Sequence, residues 1–371
     1  MESFSDILFR LIVLAPSCVS SGSGSEGSAK IFSTRENVVG IIANPASGRD
    51  IRRLVALGGV FTIAEKCGII TRLISALGVT GVTRILMIPD RGGIAERVRR
   101  AVATRSPDDR GPKVVFLDMQ VEDGPADTVR GTTQMVAAGA RAIVVLGGDG
   151  TQRLVAGACG EIPITPLSTG TNNVFPESRE ATIAGLATGL VAVGKIPVAE
   201  ATVRNKVLRL EINGSPKDLA VVDISVSKNR WVGSKALWRP EALDQIFVTF
   251  AESDAIGLSS VAGLIRPVSR RAPHGLRIDL APPERAQVTL QCPIAPGLIV
   301  PVGIENVQEI HCGEIQNPRL TQGTIALDGE RELEYVSCRH VAVRLDAQGP
   351  YTIDIDKVME RAAHERLLAI G

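Results

Sequence analysis

Neither sign of charge is in excess in this chain: 41 Lys and Arg stand against 40 Asp and Glu over 371 residues, a net charge of +1. Without a basic surplus there is no electrostatic footprint for nucleic acid or an anionic membrane as the main partner. Paired ligand spacings are missing as well. The cysteines (Cys18, Cys67, Cys159, Cys292, Cys312, Cys338) and the histidines (His274, His311, His340, His364) are scattered along the chain. That scatter fits neither a zinc site nor a disulfide framework. Free thiols imply a reducing cytoplasm, and the histidines read as structural or surface groups. No apolar run approaches the roughly 20 residues needed to span a bilayer, so a soluble protein is expected.

Some motifs are present in letter but lack the context that gives them meaning. Gly22, Gly24 and Gly27 match the dinucleotide fingerprint, yet they sit in a Ser/Gly tract with no strand before and no helix after. Gly189 to Lys195 has the glycine and lysine spacing of a Walker loop, but Ile196 stands where a magnesium-binding Ser or Thr is needed. Asn213-Gly214-Ser215 is a formal glycosylation sequon that serves better as a turn. The short patch Leu8 to Ala15 is preceded by Glu2 and Asp6 and makes a poor export signal, so residues 1–36 read as a disordered leader.

What is present begins at residue 37. Apolar runs at Val38 to Ala43, Ile85 to Ile88, Val114 to Leu117 and Ala142 to Leu146 alternate with helical segments at Ile51 to Lys66, Gly92 to Ala103, Thr128 to Ala138 and Ser178 to Val193. Alternating strand and helix implies a doubly wound parallel sheet. After about residue 197 the texture turns to short alternating strands: Lys206 to Ile212, Leu219 to Val226, Gln245 to Phe250, Gly275 to Leu280 and Gln287 to Gln291. Close-set Pro and Gly between them suit a β-sandwich or barrel. A chain of this length is also longer than a single core usually grows. The expected division is an α/β nucleotide-binding domain over 37–196, a β-sandwich over 197–357 and a C-terminal helix over 358–371 that packs back on the first domain.

The most telling stretch is AIVVLGGDGT, Ala142 to Thr151. A continuously apolar run suits a parallel strand covered on both faces and argues against a hairpin at Asp149-Gly150. Glycines let backbone amides approach anionic oxygens. Asp149 is then the lone acid of an amide-lined pocket, suited to accept a proton from a hydroxyl or to hold magnesium between phosphates. Two further loops follow strands and share its sheet edge, where open α/β sheets bind ligands. They are Asn44-Pro45-Ala46-Ser47-Gly48 and Ser168-Thr169-Gly170-Thr171-Asn172-Asn173. Such loops grip phosphate by amides and helix N-termini in place of a lysine. In the second domain Asp328-Gly329-Glu330 is either a plain hairpin turn or a functional strand end. Asp223, inside an apolar strand, must be paired or employed. Arg266, Arg270, Arg271 and Arg277 read as a solvated loop in preference to a phosphate cover.

These residues resemble the superfamily that joins NAD kinases with diacylglycerol and sphingosine kinases, whose hallmark is the same GGDGT loop. SGRDIRRLVA at 47–56, LSTGTNNVFPESREATIAGLATG at 167–189, AIGLSSVAG at 255–263 and GTIALDGERE at 323–332 look more closely like its ATP-NAD kinase-like branch of the acetoin catabolism protein X type. The resemblance implies an α/β nucleotide domain joined to a β-sandwich, with the site in the cleft between them. It implies Asp149 as the acid that activates or orients the acceptor hydroxyl. Gly147, Gly148, Gly150, Thr151, Asn44, Ser47 and Gly48 would contact phosphate, and Thr169, Gly170, Thr171 and Asn172, with Asn173 beside them, would hold the nucleotide.

ATP and Mg²⁺, the metal through Asp149, are the implied cofactors. NAD is the implied acceptor, and homo-oligomers are common in the superfamily. Asp223, Asp328 and Glu330 are the second-domain contributors. Two departures stand out: Val222-Asp223 replaces an Asn-Glu pair usual in NAD kinases, and Asn172-Asn173 replaces an Asn-Asp pair usual in lipid kinases. A lipid or small-alcohol kinase and a non-catalytic nucleotide-binding accessory protein of acetoin metabolism are the alternatives to NAD phosphorylation.

Overall fold

Strand after strand in the first part of the chain is apolar on both sides, which commits it to the middle of a layered domain. A computed structural model describes residues 36–47, 61–104, 111–170, 173–229, 240–336 and 339–370. Strands β1 (Val38–Ala43), β2 (Arg84–Met87), β3 (Lys113–Phe116), β4 (Ala142–Gly147) and β5 (Ile164–Ser168) form a parallel sheet in the order β3-β2-β1-β4-β5. Helices α1 (Ile63–Thr80), α2 (Ile94–Ala103), α3 (Pro125–Ala137), α4 (Asp149–Ala156) and α5 (Ala181–Ala192) cover it. Alternation sorts the strand residues between the faces. Val39, Ile41, Val144 and Leu146 pack with Leu73, Leu77, Val98 and Leu190 on one side. Val38, Ile42, Ile143 and Val145 pack with Met135 and Val155 on the other.

The short helix α6 (Val198–Ala201) and strand β6 (Thr202–Arg204) still belong to this layer. The chain then enters an antiparallel region made of β7 (Val207–Ile212), β8 (Ser215–Ala220), β9 (Asp223–Ser227), β10 (Leu243–Val248), β11 (His274–Ala281), β12 (Val288–Ala295), β13 (Leu298–His311), β14 (Ile315–Gln316), β15 (Gly323–Leu327), β16 (Glu330–Tyr335) and β17 (Val341–Asp346). These build a seven-stranded sheet, β12-β13-β11-β10-β9-β15-β16, and a four-stranded sheet, β14-β17-β7-β8. Leu208, Leu210, Val343 and Leu345 of the smaller sheet face Ile224, Val226, Phe247 and Ile325 of the larger one. The opposite face of the larger sheet is covered in part by helix α7 (Ser259–Ile265). The expected parallel α/β domain followed by an antiparallel β-sandwich is the observed fold class.

Strand β18 (Tyr351–Ile353) returns to the first sheet, parallel to β5 and antiparallel to β6. Helix α8 (Ile355–His364) follows and sets Ile355, Val358 and Ala362 into the first core. No helix among the described residues is long and apolar enough to cross a membrane.

Two expected elements are corrected. The first helix does not end at Lys66 but runs Ile63–Thr80, and residues 51–60 of the expected span lie outside those described. A capping box fixes its start: Thr62 Oγ1 accepts from the Glu65 amide, and Glu65 accepts from the Thr62 amide. The expected strand from Leu219 to Val226 is two strands, β8 and β9, interrupted at Val221 and Val222. The amides freed by that break donate to Asp328. Residues 1–35, with the glycine fingerprint decoy, lie outside the described residues.

Candidate functional site

The order β3-β2-β1-β4-β5 reverses direction between β1 and β4. Connections leave to opposite faces there, and in open α/β sheets the carboxyl ends of two such strands are where a ligand crevice is expected. The Asn44 turn and the Gly147 loop flank that crevice, and the amide of Asn44 donates to the carbonyl of Leu146 at 3.1 Å. The Ser168 loop follows β5, the next strand. All three expected loops therefore meet at one edge.

They meet by hydrogen-bonding to one another. Asn44 Nδ2 donates to Thr151 Oγ1 at 3.0 Å. Ser47 Oγ donates to the carbonyl of Thr169 at 3.2 Å and lies 3.1 Å from Thr169 Oγ1. Asn173 donates to Ser168 Oγ at 2.5 Å. Gly170 and Gly148 touch backbone to backbone: a Cβ on Gly170 would lie 3.0 Å from the Gly148 Cα and 2.3 Å from Asn173 Oδ1. A side chain there would push the second and third loops apart. Gly147 sits directly under the Thr151 side chain, and Gly150 has room, with Glu330 as its nearest neighbour. Gly48, Thr171 and Asn172 lie outside the described residues.

The Asn44 turn departs from the expected amide grip, because its amides are already engaged. Ala46 N–H donates to Asn44 Oδ1 at 2.8 Å, and Ser47 N–H donates to the carbonyl of Asn44 at 3.3 Å. Its carbonyls instead collect a lysine that sequence reasoning missed. Lys66, fully buried on α1, donates to the carbonyls of Asn44, Pro45 and Ser47 at 3.0, 3.3 and 2.9 Å. The signal was present: Lys66 shares the inward stripe of Ile70, Leu73 and Leu77, where a lysine is costly without carbonyl or carboxylate partners.

Asp149 opens α4, with Gly148 as the residue before it. The first-turn amides of a helix lack intrahelical partners and carry the positive end of its dipole. The Asp149 carboxylate is nearly buried, at 8% exposure. It accepts from the Val174 amide at 3.1 Å to each oxygen and from the Phe175 amide at 2.8 Å. So the strand, glycine loop and helix reading of GGDGT holds, and a hairpin at Asp149 is absent.

Asp149 is not the lone acid. Asp328 sits at the left-handed position of a tight turn, with φ of 50° followed by 77° at Gly329, between β15 and β16. Its buried carboxyl accepts from the amides of Val221, Val222 and Asp223 at 3.1, 2.8 and 3.2 Å. Burial above all, then the charges of Asp223 and Asp149, pushes this carboxyl well above the usual carboxylate range, with Arg153 and the Val222 amide opposing. Asp223, also buried, accepts from Ser225 Oγ at 3.2 Å. Asp328-Gly329-Glu330 forms a hairpin turn, and its Asp328 carboxyl closes the break between β8 and β9. Glu330 also reaches toward the glycine loop, as the nearest neighbour of Gly150.

The arginines of the 266–277 stretch divide: Arg266 and Arg271 are exposed, as expected of a solvated loop, whereas Arg270 and Arg277 are half-buried. Arg266 pairs with Glu309, Arg271 with Asp354 and Arg277 with Asp279. Arg270 pairs with Glu252 and reaches the carbonyls of Val174 and Phe175. Arg153, nearly buried on α4, donates to Asp218 at 2.6 Å. The loops around the crevice thus offer hydroxyls and helix-start amides, with no lysine or arginine in their own sequence. Such donors suit phosphate oxygens that arrive with their own cation. Among the described residues no group of three or more His, Cys, Asp and Glu forms a metal-holding set. Magnesium fits only as an ion shared between one or two carboxylates and substrate phosphates, its usual mode.

Comparison with known proteins bears on the same halves of the molecule. The family model of the ATP-NAD kinase N-terminal domain matches residues 39–196, and that of the acetoin catabolism protein X C-terminal domain matches 206–348. Acetoin catabolism protein X of Cupriavidus necator is 45% identical over 336 residues, which is 89% of this chain and 94% of that protein. Among solved structures, a diacylglycerol kinase from Bacillus anthracis str. Sterne aligns with a TM-score of 0.40 at 11% identity, covering 86% of this chain and 97% of that one.

Proposed function

Because this chain belongs to the family of acetoin catabolism protein X and carries an ATP-NAD kinase N-terminal domain, we propose that it transfers the γ-phosphoryl group of ATP to a hydroxyl group. The ribose hydroxyl of NAD is the acceptor to which the reading commits. The observation that carries it is the Asp149 carboxylate, fixed by two backbone amides at the start of α4 on the ligand-binding edge.

Phosphoryl transfer asks a protein mainly for position and charge neutralisation. The start of α4 and the hydroxyl of Thr151 would hold phosphate oxygens, with Ser47 and Thr169 bracing the loops behind them. Magnesium carried by the phosphates would neutralise their charge, which leaves the Asp149 carboxylate to act as the base. In the transfer the acceptor oxygen bonds to the γ-phosphorus as the bridging bond to ADP breaks, and the hydroxyl proton passes to Asp149. Glu330, facing Gly150 from the β-sandwich, would border the acceptor.

Calorimetric titration of ATP, NAD and NADP, followed by transfer from labelled ATP to NAD and to diacylglycerol, tests the reading. Label recovered in NADP supports it. Label in the lipid overturns the acceptor, and nucleotide binding without any transfer overturns catalysis.

A further inference from the structure

Arg270 comes from the β-sandwich side of the molecule, next to the bridge between Ala251 and Val268, and reaches residues 174 and 175 beyond the third loop. Its guanidinium donates to the carbonyl of Phe175 at 2.9 Å and to that of Val174 at 2.5 Å. Glu252 holds its other edge at 3.2 Å. The Phe250 ring lies 4.2 Å from the guanidinium carbon and the buried Phe175 ring 5.7 Å from it. Two carbonyls, one carboxylate and two rings demand a planar, many-pronged cation, which arginine supplies and lysine does not.

The carbonyl of Val174 and the N–H of Phe175 belong to one rigid peptide plane. Its oxygen accepts from Arg270 while its nitrogen donates to Asp149 at 2.8 Å. Hydrogen bonds linked in this way polarise one another. The next peptide joins Phe175 to Pro176, whose nitrogen has no hydrogen, and a residue before proline is kept extended. Residues 174 and 175 therefore have one face for Arg270 and one for Asp149.

We infer that Arg270 is a positioning residue, through which the β-sandwich fixes the Asp149 carboxylate by way of the Val174-Phe175 peptide. Its kinetic consequence rests on the kinase reading, and its structural consequence rests on the contacts alone. The site is then complete only when the β-sandwich is docked through this side chain.

The test uses the full chain and the variants Arg270→Met and Arg270→Lys. Hydrogen exchange at the Val174 and Phe175 amides should quicken at least about tenfold in Arg270→Met, with the melting temperature little changed. With ATP and NAD, kcat should fall about 10²-fold, as for a misplaced catalytic group, while the KM for ATP moves less than about threefold. Added guanidinium should restore part of the rate, and Arg270→Lys should lie between wild type and Met. If Arg270→Met does not fold, Arg270→Lys carries the same exchange comparison. Unchanged exchange at both amides in a folded variant overturns the inference. A wild-type chain that transfers no phosphoryl group removes the kinase reading and leaves the exchange measurement to decide the clamp.

Discussion

At the scale of single residues, two buried aspartates make different predictions. Asp149→Asn keeps an oxygen for the Val174 and Phe175 amides but loses the group that takes the proton. Transfer should drop about 10²- to 10⁴-fold, roughly 3 to 5 kcal/mol, with the melting temperature nearly unchanged. Steady-state rates beside a thermal melt check it, and wild-type turnover sinks the assignment. Asp328 holds its proton in the folded chain above its ordinary range. The folded state thus binds more protons than the unfolded one, and the stability from this group is full below about pH 4 and lost as pH rises through the raised value. Asn mimics the protonated form. The melting temperature of Asp328→Asn relative to wild type should therefore climb as pH rises above about 4, and a flat difference overturns the account. Asp149 was legible because an apolar run, three glycines and one acid stand side by side. Lys66 showed only as a lysine in an apolar helical stripe and Arg270 not at all, because their partners are backbone carbonyls distant in sequence, which no spacing reveals.

At the scale of elements, local chemistry decides where helices begin and how closely they pack. Removing the capping hydroxyl with Thr62→Ala should cost about 1 kcal/mol, read from chemical denaturation. Gly189, part of the Walker-like decoy, lies in α5 where a Cβ would come 2.0 Å from Thr80 Oγ1 on α1. Its purpose is the close crossing of two helices. Gly189→Ala should cost about 1 to 3 kcal/mol by overpacking while leaving nucleotide binding intact, and a neutral substitution refutes the packing role. The break at Val221-Val222 escaped sequence reading because both residues are apolar. The carboxyl that satisfies their amides arrives from position 328, more than a hundred residues on.

At the scale of the molecule, one apolar cluster spans both halves. Val38, Ile42, Val145 and Phe175 of the α/β part share it with Val207, Val221, Val222 and Phe250 of the β part. Residues that share a core lose it together, so calorimetry should show one transition whose calorimetric and van't Hoff enthalpies agree. Phe175, fully buried in that seam, ties the cluster to the clamp on Asp149. Phe175→Ala should cost about 3 to 5 kcal/mol, and two resolved transitions in wild type would contradict the shared core.

The amino-acid order by itself determined the layers and the sheet edge at which the three loops gather. Period-two alternation, continuous apolar strands and glycine loops are local patterns, each written within a few neighbouring residues. Only the tertiary structure decided that the three loops are stitched to one another, that Lys66 braces the first of them, and that an arginine about 120 residues beyond Asp149 holds its turn in place. Those contacts join groups far apart in the chain. Their strength comes from burial and geometry that exist only once the sheets have closed on each other.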